Sequence, residues 1–343
     1  VRPIDWVDQA GDQPGYLRLL DQTLLPLQTM MLEIRTVDRL VEAISRLAVR
    51  GAPALGVAGA FGVALAMQTL PSSEVPGAVR RIRDARPTAV NLAWGADLAA
   101  AEIPHGFDAV LDVAKQVRDD DIAASKRMAR IGADELYREL GETAKQNGLR
   151  LMTICNTGAL AAVERGTALG VIEEVHRDGH LQRALACETR PLLQGARLTA
   201  WELQQMGAPF DLLADSAAAS TMRRGQADAV LTGADRVAAN GDSANKIGTL
   251  ALALAARYAR IPFYIVAPET TIDRRTASGD DIEIEDRGSA EVCELQGVRI
   301  APAGTTALNP AFDVTPADLI TAIITDRRVI RPSAGERPDD ETS

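Results

Sequence analysis

The sequence predicts an α/β protein whose second half is a parallel sheet with covering helices. Three observations predict it. From Leu149 onward, five short apolar runs recur: Arg150–Ile154, Arg183–Cys187, Phe210–Leu213, Asp228–Thr232 and Phe263–Ala267. Stretches with helical character separate them: Gln194–Met206, Ala217–Arg224 and Ala244–Arg260. Apolar runs of strand length, alternating with helices, bury both faces of a parallel sheet. Finally, 343 residues suggest about two domains, and the texture changes near residue 148.

In chain order, residues 1 to about 30 read as a small strand-and-turn unit, with a Gly/Pro turn near Gly11–Gly15. Thr36–Ala48 is a helix capped by Thr36, with Val37, Leu40, Val41, Ile44 and Leu47 on one face. Val49-Arg50-Gly51-Ala52-Pro53 opens an Ala/Gly-rich buried helix to about Leu70. Its apolar core, Val57–Met67, reads as too short to span a bilayer. Residues 71–85 are a loop and a surface helix, and another helix follows Arg86-Pro87. A long helix, about Asp108–Asn147, ends the first domain. Within it, Asp119-Asp120-Asp121 reads as a solvated face or helix start, not a metal site. Thr315-Pro316-Ala317-Asp318 predicts a last helix to about Thr325, and residues 331–343 a disordered tail. The domains are therefore 1–125, a connecting helix 126–147, and 148–330.

Composition narrows the function classes. With 46% hydrophobic and 24% charged residues the chain is of ordinary globular type, and at 3% aromatics its core is aliphatic. A net charge of −10 argues against nucleic acid or an anionic membrane as partner, but not against a phosphorylated metabolite in a local basic pocket. Cys155, Cys187 and Cys293 are odd in number and far apart, which argues against a disulfide framework or structural zinc. His176 and His180 flank a glycine and read as a solvated helix end. No signal pattern begins the chain, so a cytoplasmic protein is expected.

Ligands of open parallel sheets bind beyond the carboxyl ends of strands. Cys155, Glu188-Thr189-Arg190, Asp235 and Pro268-Glu269 all fall at such ends. Cys155 precedes Asn156-Thr157-Gly158 and an expected helix from Ala159; a cysteine at a helix N-terminus favours thiolate. It is either a reactive thiol or an inert core thiol. Asp235 is either a general acid, kept protonated by desolvation, or a cap or partner of Arg236. Arg50 and Gly51 before a buried helix start make an anion site or a plain helix turn. Arg86 holds an anion or a surface salt bridge. Asn245 and Lys246, expected in the first turn of a helix, suit phosphate or sugar hydroxyls, or are a cap and a surface lysine. Gln194-Gly195 is a similar polar helix start. No GxGxxG follows a strand, which argues against a nicotinamide dehydrogenase.

Taken together and in order, several segments carry a resemblance. They are Arg50-Gly51-Ala52-Pro53-Ala54, Arg86-Pro87-Thr88-Ala89-Val90-Asn91-Leu92, Cys155-Asn156-Thr157-Gly158-Ala159-Leu160 and Glu188-Thr189-Arg190-Pro191-Leu192-Leu193-Gln194-Gly195. Gly233-Ala234-Asp235-Arg236, Asn240 through Thr249, and Asn309-Pro310-Ala311-Phe312-Asp313-Val314-Thr315-Pro316 complete the set. From about Ile4 to Ile330 the chain resembles the methylthioribose-1-phosphate isomerases, aldose–ketose isomerases of methionine salvage related to translation initiation factor 2B subunits. The resemblance implies a Rossmann-like parallel-sheet C-terminal domain, a smaller, mainly helical N-terminal domain carrying a small antiparallel sheet, a homodimer, a sugar-phosphate substrate, and no metal or nucleotide cofactor. It also implies Cys155 and Asp235 as catalytic residues, with Asp235 the proton donor, and Arg50, Gly51, Ala52, Arg86, Gln194, Asn245 and Lys246 as substrate-binding. Cys187 departs from the acidic residue expected there, which alters the pocket wall or fills a core position. Two alternatives stand beside this reading: an isomerase of another 1-phosphorylated pentose, such as 5-deoxyribose 1-phosphate, or a non-catalytic initiation-factor-2B-like regulatory protein.

Overall fold

The computed structural model describes residues 2–86 and 89–340. Its contacts divide the chain into two compact units, one of residues 1–125 with 157–166, the other of 126–156 with 167–343.

The first unit begins with strands β1 (Ile4–Val7), β2 (Tyr16–Leu20) and β3 (Met31–Ile34), an antiparallel sheet. Helix α1 (Val37–Ser45) starts where Thr36 accepts the Arg39 N–H on its side chain. Helices α2 (Ala52–Thr69), α3 (Val75–Asp84) and α4 (Val90–Ala101) follow, then the long α5 (Phe107–Asn147), which kinks at Gly141 and crosses from one unit to the other. Glycine lets α2 and α4 touch backbone to backbone: a Cβ on Gly95 would lie 2.0 Å from the Gly56 carbonyl oxygen. The apolar run expected to be too short for a bilayer is part of an 18-residue helix. By length and composition α2 could cross a membrane, but 72% of it is buried inside the protein.

The second unit holds a larger sheet. Its strands are β4 (Leu149–Thr153), β5 (Leu181–Cys187), β6 (Phe210–Leu213), β7 (Ala229–Thr232), β10 (Phe263–Val266), β15 (Ala322–Ile324) and β16 (Val329–Ile330). Among the described residues the order is β16-β15-β10-β7-β4-β5-β6, parallel except for the antiparallel β15–β16 edge. Alternation along the strands splits the core. Leu151, Leu231 and Tyr264 pack on one face with α6 (Ala168–Arg177) and the second part of α5. Met152, Val230 and Ile265 pack on the other with α8 (Ala218–Arg223) and α9 (Thr249–Ala259). Along the central strands β4, β7 and β10 both faces are dry, which is why these read as nearly unbroken apolar runs.

A second small sheet has the order β11-β8-β9-β14, from β8 (Arg236–Ala238), β9 (Ser243–Lys246), β11 (Ile272–Asp273) and β14 (Phe312–Thr315). A short helix, α10 (Ala290–Cys293), leads to the hairpin of β12 (Glu294–Leu295) and β13 (Val298–Arg299).

Three sequence expectations are corrected here. Residues 244–248 are not helical: they form β9 and its exit, because antiparallel pairing with β14 satisfies that backbone. No helix spans 315–325: Pro316 follows β14, a single 3-10 turn covers Ala317–Leu319, and β15 begins at Ala322. The tail is held through residue 340. Arg331 pairs with Glu135 at 2.7 Å, and Arg328 donates to the carbonyls of Pro338 and Asp340 at 2.8 and 3.0 Å. Residues 341–343 lie outside the described residues.

Candidate active site

The strand order of the larger sheet reverses at β4. Strands β5 and β6 extend from one side of it, and β7, β10 and β15 from the other. This is the order of a doubly wound sheet, whose ligands bind beyond the carboxyl ends at the reversal. Cys155 lies there, two residues past the end of β4.

Ala159–Ala161 forms only one 3-10 turn, so the helix expected to begin beside Cys155 is absent. Instead the backbone of Cys155 adopts a left-handed conformation, with φ 64°. A strand exit of this kind turns the side chain out of the pleat, as strained strand-to-helix elbows do for nucleophiles. Such φ values are uncommon for side chains other than glycine. Cys155 is 7% exposed. Its N–H donates to Thr189 Oγ1 at 2.8 Å, and its carbonyl accepts from Thr199 Oγ1 at 2.6 Å. The Thr189 hydroxyl donates onward to the Cys187 carbonyl at 3.0 Å. Asp215 accepts the N–H groups of Thr189 and Arg190 at 2.8 and 2.7 Å. Asn156 donates from Nδ2 to both Glu202 and Thr199.

Gln194 sits immediately before a π-helical turn, Gly195–Thr199, that continues into α7 (Ala200–Met206). Thr199 therefore ties the Gln194 segment to Cys155. Gln194 is 6% exposed, and its Oε1 has no hydrogen-bond partner among the described residues. A buried carbonyl oxygen left unpaired costs about 1–3 kcal/mol, and a ligand hydroxyl would satisfy it. Cys187 fills a core position at the end of β5; burial first, then the Asp215 and Glu188 charges, push its thiol up to about 12.

Asp235 follows β7 and leads into β8. Its N–H donates to the Ala244 carbonyl at 2.9 Å. Asn245 and Lys246, on β9, are thereby drawn into the same small sheet. Asn245 Nδ2 donates to Thr249 Oγ1 at 2.9 Å. Lys246 donates to the Ala311 carbonyl at 2.8 Å, and Asp313 accepts the N–H groups of Gly248 and Leu250 at 2.7 and 3.1 Å. Burial raises Asp313 above the ordinary carboxylate range, against the pull of those donors and of Lys246. Asp235 itself is exposed.

Cys155 and Asp235 follow adjacent strands. Strands β4 and β7 are neighbours, with Met152 opposite Val230. Gly248, the N-cap of α9, approaches Ile154 so closely that a Cβ would lie 2.9 Å from Ile154 Cδ1.

The remaining expected site residues belong to the first unit. Gly51 is the N-cap of α2, with φ 95°, and a Cβ there would lie 2.3 Å from the Ala161 carbonyl oxygen. Arg50 and Ala52 flank it and are half-buried, as is Arg86. Pro87 and Thr88 of the Arg86 motif lie outside the described residues. Thr199, Glu202 and Asp215 were missed by sequence reasoning, and nothing local distinguishes them. Thr189 and Asp313 lay inside motifs already singled out.

Comparison with known proteins is consistent along the chain. The model of the initiation factor 2 subunit family matches residues 48–332. A methylthioribose-1-phosphate isomerase from Pelotomaculum thermopropionicum is 46% identical, covering 97% of this chain and 93% of that protein. One from Anaeromyxobacter sp. (strain K) is 47% identical, covering 96% and 94%. Among solved structures, 5-methylthioribose 1-phosphate isomerase from Pyrococcus horikoshii superposes with TM-score 0.87 at 39% identity, covering 96% of this chain and 92% of that one. A structure named as translation initiation factor eIF-2B subunit delta, from A. fulgidus, superposes with TM-score 0.85 at 38% identity, covering 98% and 97%. The chain belongs to the initiation factor 2 subunit family, and within it to the methylthioribose-1-phosphate isomerases.

Proposed function

We propose that the protein converts 5-methylthioribose 1-phosphate to 5-methylthioribulose 1-phosphate as a step of methionine salvage. The observation that supports the reading is that Cys155 and Asp235 follow the adjacent parallel strands β4 and β7, with Gly248 packed close to Ile154. The names of the isomerase relatives support the substrate.

The chemistry asks for these groups. A C1 phosphate locks the sugar as a cyclic acetal, so no free aldehyde exists. Asp235 gives a proton to the ring oxygen as its bond to C1 breaks. Hydrogen then moves from C2 to C1, and the C2 hydroxyl becomes the ketone as it loses its proton, which restores the one that Asp235 gave up. In one route Cys155 takes the C2 proton and C1 is reprotonated; in the other, hydrogen crosses as hydride and Cys155 stabilises the transition state. Gln194 Oε1 and Asn245 would meet sugar hydroxyls. Lys246, Arg50, Arg86 and the N–H groups at Gly51 and Ala52 are the proposed phosphate ligands. A sugar over Asp235 would cover that exposed carboxyl. The proposal takes residues 148–330 as the catalytic domain and the working form as a cytoplasmic homodimer.

The test is turnover of methylthioribose 1-phosphate by purified protein, beside folded Cys155→Ser and Asp235→Asn variants, with deuterium in the solvent. Ketose from the wild type alone supports the assignment, and solvent deuterium at C1 selects the proton route. No product from folded wild type overturns it, and 5-deoxyribose 1-phosphate is then assayed. The A. fulgidus structure's name favours a second reading, a non-catalytic regulatory subunit, which inactivity on both sugars would support.

A further inference from the structure

We propose that Thr189 and Thr199 are positioning residues: they grip the two backbone polar groups of Cys155 and so aim its thiol. The inference rests on Cys155 being the reactive thiol of the proposed isomerase.

The left-handed backbone of Cys155 costs about 1–2 kcal/mol for a residue with a Cβ, so something must hold it. Within two residues of the β4 end there is no regular ladder to do so. Instead the Cys155 N–H goes to Thr189 Oγ1 and its carbonyl receives Thr199 Oγ1. Both threonines are fully buried, and Thr189 is itself left-handed, with φ 66°.

Each hydroxyl has a single proton, and its direction is fixed by its neighbours. Thr189 receives the Cys155 N–H, so its proton goes to the Cys187 carbonyl. Thr199 receives one Asn156 N–H at 3.3 Å, so its proton goes to the Cys155 carbonyl. Asn156 is in turn oriented by Glu202, which takes its other Nδ2 hydrogen. Asp215 holds the far side of Thr189 through its backbone N–H. The donor direction therefore runs outward from the Asn156 amide, to Glu202 on one side and through Thr199 to the Cys155 carbonyl on the other, without an ambiguous hydroxyl. Strained backbone over-determined by its surroundings is how proteins pre-organise reacting groups.

Valine keeps the shape of threonine and removes the hydroxyl; serine keeps the hydroxyl. In Thr199→Val and Thr189→Val, kcat for the sugar phosphate falls roughly tenfold or more while KM stays within about twofold, as expected when only the reacting geometry is lost. Thr199→Ser and Thr189→Ser recover most of kcat. Unchanged kcat in both valine variants overturns the proposal, as does an equal loss in the serine variants. A second arm is independent of the assigned reaction. Iodoacetamide labelling, mapped by peptide, reads the alkylation rate of Cys155 against those of Cys187 and Cys293 in folded protein. A changed rate at Cys155 alone in the valine variants supports positioning even if the wild type turns over no sugar. An unchanged rate at Cys155, or equal changes at all three, overturns it.

Discussion

Lys246 and Phe312 face each other across β9 and β14, with the ammonium 4.5 Å from the centre of the ring. The same ammonium donates to the Ala311 carbonyl. The side chain is thus steered by Phe312 of β14 and by the residue just before that strand, more than sixty positions later. Replacing Phe312 with Leu removes an attraction of about 0.5–1 kcal/mol. The expected outcome is a severalfold rise in KM for the phosphorylated sugar with little change in kcat. Lys246→Gln gives a larger rise, and inorganic phosphate then inhibits less. Steady-state kinetics of both variants check this; equal KM values would remove Lys246 from the phosphate contacts.

Asp121, within α5, accepts the Val163 N–H at 3.1 Å, yet burial pushes its carboxyl up to about 7 from an ordinary 3.8. The unfolded chain ionises this group near pH 4 and the folded protein only near 7. Its contribution to stability therefore falls as pH rises between those values and is level above them, at about 1.4 kcal/mol per pH unit at most. Asp121→Asn keeps an acceptor for Val163 and cannot ionise. Urea unfolding at pH 5 and pH 7.5 is expected to show the variant gaining on the wild type as pH rises. A constant difference across that interval would contradict the assignment.

Gly195 has no room for a side chain, since a Cβ would lie 1.7 Å from the Cys187 carbonyl oxygen. That oxygen belongs to backbone and cannot move without shifting the end of β5. Gly195→Ala is expected to cost about 1–3 kcal/mol or more, lowering the thermal midpoint. It should also lower activity, because Gln194 and Thr199 stand on the displaced turn. Differential scanning calorimetry with an activity assay tests both.

The tail predicts a stability effect of its own. Glu135 is buried and shared between Arg138 and Arg331, each at 2.7 Å. Truncation after Ile330 removes one of these partners and the Arg328 contacts with Pro338 and Asp340. The expected loss is about 1–3 kcal/mol, read from chemical denaturation. A tail without structure would change nothing.

Five of the seven strands of the larger sheet were legible, the central ones because burial on both faces leaves no polar alternation; β15 and β16 were not among them. Phe210–Leu213 was read without error, and β4, β5, β7 and β10 to within two residues. The misread segments share a cause. Ala244–Lys246 has the composition of a helix start, and its strand partner is Val314–Phe312, remote in sequence. Thr315-Pro316-Ala317-Asp318 carries a helix-start signal, but Asp242 takes the Ala317 N–H at 2.8 Å and the chain turns into β15 instead. In the candidate site, motif residues such as Cys155 and Asp235 announced themselves by strand-end position. Thr199 and Glu202 did not, because what they do depends on a π-helical turn that local sequence does not signal.

Strand β14 completes the sheet that holds Lys246, and β15 covers the open side of β10; both come near the end of the chain. A ribosome makes the polypeptide from its N-terminus, so when Lys246 emerges neither Ala311 nor Phe312 has been synthesised. Until they are, the nascent chain carries β9 and β10 with one unpaired edge each, a template for the wrong neighbour. The nascent protein therefore exposes these two strand edges for the whole interval of translation between those strands and their partners.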